Sequence, residues 1–62
     1  IETIIEKAPA FLASGAHLII EHGYNQHLNV QQIFRKHGYT SVKTHYDLSN
    51  HPRVTLGTWQ HK

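Results

Sequence analysis

The sequence predicts an α/β fold in which a helix, a strand, a second helix and an antiparallel hairpin follow one another. Three observations predict it. Apolar residues recur at helical spacing in residues 2–13 and again after Asn25. A short aliphatic run, Leu18-Ile19-Ile20, stands between two glycines. Two stretches near the end of the chain alternate with a period of two.

The first helix rests on Ile1, Ile4, Ile5, Ala8, Phe11 and Leu12. Pro9 interrupts it, because a proline removes the bond to the carbonyl four residues back and clashes with it. The helix is therefore expected to kink near Ala8 or to split into two short pieces. Ser14-Gly15 is expected to end it, with Gly15 as the left-handed cap. His17 to Glu21 comes next. An aliphatic run this short, bounded by glycines, suits a strand buried on both faces, as in a parallel sheet.

Asn25 can cap the second helix, on which Val30, Ile33, Phe34 and His37 share a stripe while Gln26, Asn29, Gln32 and Lys36 face water. Gly38 closes it, and Arg35-Lys36 suit the negative end of its dipole. Then Val42, Thr44 and Tyr46 alternate with Lys43 and His45, and Val54, Leu56 and Thr58 with Thr55, Gly57 and Trp59. Leu48 to Pro52 reads as a turn. It is too short for a crossover, so the last two strands form a hairpin. The strand 17–21 is expected to pair with it and still to need a neighbour on its other edge.

Sixty-two residues make one small domain at most, and a free domain of that size buries only about 60% of its unfolded surface. There is no cysteine, which excludes disulfides and thiolate metal sites. Six Lys plus Arg against four Asp plus Glu leave a net +2 that is spread along the chain, with no basic stripe for nucleic acid. No run is long and apolar enough to span a membrane, and none has the make-up of a signal peptide. The chain opens on Ile1, which reads as a piece of a longer protein.

Seven histidines invite a metal site, but the spacing argues against it. His17, His22 and His27 fall every five residues, and no His-Glu-x-x-His occurs. Tyr39, Tyr46 and Trp59 could stack on bases, although aromatic residues on strands mostly pack. No phosphate loop, Gly-x-Gly-x-x-Gly or Gly-x-Ser-x-Gly is present. The chemistry concentrates instead where the aliphatic run ends. Open α/β sheets bind ligands beyond the carboxyl ends of their strands. Glu21, His22 and Gly23 stand at that end, with Asn25 and Gln26 at the helix start that follows. Glu21, His22 and Gln26 are therefore the crevice-lining candidates. The plainer alternative is that Glu21 only accepts hydrogen bonds from the helix start.

The run FLASGAHLIIEHGYNQ, the later HGYTSV, Asp47 and RVTLG resemble the C-terminal end of the release factor glutamine methyltransferases of the HemK/PrmC type. The resemblance covers nearly the whole chain. It implies a class I, Rossmann-like methyltransferase sheet, of which residues 1–62 would be the C-terminal segment of the catalytic domain, incomplete on its own. Strand 17–21 would be its fifth strand, with residues 53–59 between it and residues 41–46. It further implies S-adenosylmethionine as cofactor, bound by upstream sequence, and methylation of the Gly-Gly-Gln glutamine of peptide-chain release factors in the cytoplasm. The family's glycine loop and its Asn-Pro-Pro-Tyr motif are absent here. No catalytic, cofactor-binding or metal residue is therefore expected in this segment, only its crevice wall. Two departures stand out. His27 replaces a frequent glycine, so the helix start could differ. His51-Pro52 precede Arg53 where an acidic residue is common, which puts an acid–arginine pair in the hairpin turn in doubt. A methyltransferase of the same fold acting on nucleic acid or a small molecule, and a binding module without activity, are the competing expectations.

Overall fold

The computed structural model describes residues 1–61. Helix α1 (Glu2–Lys7) runs into a 3₁₀ turn (Ala8–Phe11). Strand β1 (His17–Glu21), helix α2 (His27–Lys36) and strands β2 (Thr40–Tyr46) and β3 (Pro52–Thr58) follow. The element order is the one the sequence predicts. The first helix is indeed two pieces, with Pro9 at the start of the 3₁₀ turn, where its missing N–H costs nothing. It stops at Phe11, earlier than expected. Gly15 does take a positive φ of 87°, but in the turn before β1, where its N–H donates to the Trp59 carbonyl, and not as a helix cap. Of the expected stripe only Ile5 is buried, and Phe11 is 88% exposed.

The three strands form one antiparallel sheet in the order β1-β3-β2, so β3 lies between β1 and β2 as the family resemblance implies. Both helices lie on one side of it. Ile5 from α1, Val30 and Phe34 from α2, Ile20 from β1 and Tyr39 form the core, and the Tyr39 hydroxyl donates to the Ile5 carbonyl at 2.8 Å. The molecule is 15 Å across its thinnest direction, the depth of one sheet and one helix layer. Within the described residues β1 is covered on one face only, not on both as expected. Leu18 and Ile20 turn toward the helices, whereas His17, Ile19 and Glu21 turn away and are exposed. A continuous aliphatic run marks a strand apolar on both sides, and these residues cover only one of them. Among the described residues no strand pairs with the other edge of β1, and each strand pair present is antiparallel.

Helix α2 ends as its sequence predicts. Gly38 has φ 87°, its N–H donates to the Arg35 carbonyl, and the Tyr39 N–H donates to the Phe34 carbonyl. These are the two bonds of a Schellman ending. Its start differs: the cap is Gln26, not Asn25, because a turn from Gly23 to Gln26 takes up the residues before it. At the far end of α2, the Glu2 carboxylate accepts from His37 Nε2 at 3.0 Å and Lys36 Nζ at 2.9 Å, which holds its pKa below the ordinary value. In β3, Gly57 stands where the Phe34 ring crosses the sheet: a Cβ there would lie 2.6 Å from Phe34 Cδ1. A glycine inside a strand often marks such a close approach.

Candidate functional site

The end of β1 and the turn that follows are held by backbone first. Glu21 pairs with Val54, and the His22 N–H extends the ladder by donating to the Arg53 carbonyl at 2.9 Å. The chain then turns. The Gln26 N–H donates to the Gly23 carbonyl at 3.0 Å, and the Gln26 side chain folds back to accept from the Gly23 N–H at 2.8 Å. A side chain on Gly23 would press within 3.3 Å of the Asn25 and Gln26 side-chain oxygens, so glycine keeps this turn tight.

Two ring contacts tie the turn to the hairpin. Tyr24 packs on His51 with ring centroids 5.8 Å apart, and His27 meets Tyr46 edge-on at 6.3 Å. The hairpin tip has its own lock. Asp47 Oδ1 accepts from the backbone N–H groups of Ser49 and His51, and its Oδ2 accepts from Arg53 Nε at 2.7 Å. The acid–arginine pair that His51-Pro52 put in doubt is therefore present, supplied from the other side of the turn. The Arg53 guanidinium, then the His51 and Ser49 N–H groups, lower the Asp47 pKa to about 2.

The three candidates share one turn but not one environment. Glu21 and Gln26 are exposed, and His22 is half-buried. No hydrogen bond to the Glu21 carboxylate is formed among the described residues, so the plainer role as acceptor for the helix start has no contact to support it. His22 points inward: its Nδ1 lies 2.9 Å from the Gly23 carbonyl oxygen and its Nε2 2.8 Å from Thr55 Oγ1. Thr55 is fully buried. Leaving its hydroxyl unpartnered there would cost about 1 to 3 kcal/mol. The alternation in β3 did not say which of its two faces is buried, so Thr55 was not singled out. Gly57, two residues on, carried the correct signal.

Three other histidines each meet a different partner. His17 meets Thr58, His37 meets Glu2, and His61 donates to the Leu12 carbonyl. Among the described residues no three acidic or histidine side chains come together as a metal ion requires. A surface concavity of about 280 Å³ lies between α1 and α2, lined by Glu2, Asn29, Gln32, Ile33 and Lys36. It includes none of the turn residues and is open, with a lining both polar and apolar. No helix among the described residues is long and apolar enough to cross a membrane.

No family model matches the chain. Individual proteins do. The chain is 45% identical over 60 residues to the release factor glutamine methyltransferase of Pasteurella multocida, covering 97% of this chain and 20% of that protein. The enzyme of the same name from Vibrio cholerae is 43% identical over 60 residues, covering 97% and 21%. The one from Yersinia pestis is 41% identical over 56 residues, covering 90% and 20%. The chain thus spans about a fifth of the length of the curated relatives it matches, at their C-terminal end.

Proposed function

The chain belongs, as a C-terminal segment, to the release factor glutamine methyltransferase family, and on that premise we propose that it completes the catalytic sheet of such an enzyme and forms one wall of its crevice. The intact protein then transfers a methyl group from S-adenosylmethionine to the side-chain amide of a release-factor glutamine, in the cytoplasm. The observation that carries this reading is identity of 43–45% over 97% of the chain to proteins of that name.

The segment's own surface supports it. Ile19 is 60% exposed on the face of β1 turned away from the helices, beside Leu56 in register. An open strand edge with an apolar outer face is what the last part of a larger, Rossmann-like sheet presents when sequence beyond it supplies the neighbouring strand and the second helix layer. The described residues do not themselves fit S-adenosylmethionine. They contain no glycine-rich loop, and the concavity between α1 and α2 lies away from the turn. On this reading the cofactor belongs to sequence outside this segment, and the segment alone is inactive.

What these residues contribute is position. Glu21 offers a carboxylate without a partner among the described residues at the carboxyl end of β1, Gln26 closes the turn beside it, and His22 braces that turn from the inside. The test is transfer of a labelled methyl group from S-adenosylmethionine to purified release factor by the full-length protein, with a release factor lacking the Gly-Gly-Gln glutamine as control. Equal labelling of both refutes the assignment of substrate.

A further inference from the structure

A row of side-chain hydrogen bonds crosses three elements and ends on the turn. Gln31 Nε2 on α2 donates to Thr44 Oγ1 on β2 at 2.7 Å. Thr44 Oγ1 and Thr55 Oγ1 on β3 lie 2.7 Å apart, and Thr55 Oγ1 lies 2.8 Å from His22 Nε2. His22 Nδ1 closes the row on the Gly23 carbonyl at 2.9 Å. The two ends of the row fix its direction. A carbonyl can only accept, so His22 Nδ1 carries a proton. In a neutral imidazole Nε2 is then an acceptor, and the Thr55 hydroxyl donates to it. The Thr55 oxygen is left to accept from Thr44, and the Thr44 oxygen accepts from the Gln31 amide nitrogen, which can only donate. Each proton has one place to go.

We propose that Gln31, Thr44 and Thr55 are positioning residues that act through His22: they select its Nδ1–H tautomer, which holds the Gly23 carbonyl and so sets the turn from Gly23 to Gln26. The row lies on the helix-covered face of the sheet, where apolar side chains would otherwise pack, and Thr55 within it is fully buried. Hydroxyls in such a place hold direction as well as volume. Because the row draws on α2, β2 and β3 together, the turn takes its shape only when the helix is seated over the hairpin. Its bearing on methyl transfer rests on the crevice reading above.

The test is long-range proton–nitrogen correlation NMR of the histidine side chains in the full-length protein, at a pH where His22 is neutral. Wild type is compared with Thr55→Val and Thr55→Ser. In the wild type His22 carries its proton on Nδ1. Thr55→Val keeps the volume and loses the hydroxyl. It shifts His22 toward the Nε2–H form that free histidine favours, and it moves the amide signals of Gly23 and Gln26. Thr55→Ser keeps the hydroxyl and retains the wild-type tautomer. An unchanged tautomer in Thr55→Val overturns the proposal. So does a wild-type His22 protonated on Nε2, a result that needs no variant to fold. The spectra require neither methyl donor nor substrate. A failed relay therefore shows in the histidine signals, and a failed crevice reading shows in turnover alone.

Discussion

The Phe34 ring fills the space that a side chain on Gly57 would need. A Cβ at Gly57 would stand 2.6 Å from Phe34 Cδ1 and 3.0 Å from Cε1. The ring cannot simply swing away, because Tyr39 meets it edge-on with centroids 4.9 Å apart. Gly57→Ala is therefore expected to destabilise the protein by about 1 to 3 kcal/mol, the usual cost of overpacking. Phe34→Leu in the same protein should return part of that loss. Chemical denaturation of both single variants and the double variant checks it, and additive losses would show that the two residues do not press on each other.

Phe34 is fully buried at the centre of the core. Phe34→Ala should cost about 3 to 5 kcal/mol in the full-length protein, the transfer term plus the cavity left behind. A midpoint shift worth less than about 1 kcal/mol would mean that α2 does not seat on the sheet as described.

Much of this arrangement was legible in the sequence, and the exceptions have physical reasons. Leu18-Ile19-Ile20 announced a strand, because nothing polar interrupts it and glycines bound it. The face buried by the helices could not be read from a run apolar on both sides. The hairpin betrayed itself through alternation, but alternation alone did not say which face of β3 is buried. Val54 and Leu56 look like the inward pair, yet Thr55 is the one buried, since His22 and Thr44 satisfy its hydroxyl. Such a bond joins residues 33 positions apart and leaves no local pattern. Asn25 is a better capping residue than Gln26 by composition, and it lost the cap to the tight turn that Gly23 begins. The exposure of Glu21 followed from its place at a strand end, and the inward turn of His22 did not.

Gly38 tests the helix ending separately from packing. Its φ of 87° lies where a side chain clashes with its own backbone, while the nearest atom to an added Cβ, Trp59 Cζ3, is at an ordinary 3.7 Å. Gly38→Ala should therefore cost about 1 to 2 kcal/mol through conformation alone. Gly38→Asn should cost less, because asparagine tolerates the left-handed region. Thermal unfolding of the two variants ranks them, and a larger loss for asparagine would contradict the account.

The hairpin lock should appear in acid. Folded, Asp47 is held at about 2 by Arg53 and by the His51 and Ser49 N–H groups. Unfolded, it returns to about 4. The folded state binds this proton less readily than the unfolded state. Its contribution to stability is therefore complete above the ordinary carboxylate range and is lost as pH falls toward the folded value. Asp47→Asn removes that dependence. Stability measured against pH should show the wild type above the variant near neutrality and the two curves converging as pH falls to about 2. A constant gap between the curves across that window would assign the difference to shape and not to charge.

Glu21 decides whether the turn after β1 belongs to chemistry or to folding. The carboxylate stands exposed at the carboxyl end of the strand, paired through backbone with Val54 and beside the turn that Gln26 closes. No described residue donates to it, so Glu21→Gln has no internal bond to break and should leave the thermal midpoint nearly unchanged. If the carboxylate faces the crevice of the full-length enzyme, the change removes a charge from the crevice wall. Methyl transfer to release factor should then fall by about tenfold or more, equal to about 1.4 kcal/mol of transition-state stabilisation. Both quantities belong on one preparation, since turnover must be counted per folded molecule. Lost stability with intact turnover would return Glu21 to a structural role and leave the crevice wall to be sought elsewhere on the sheet.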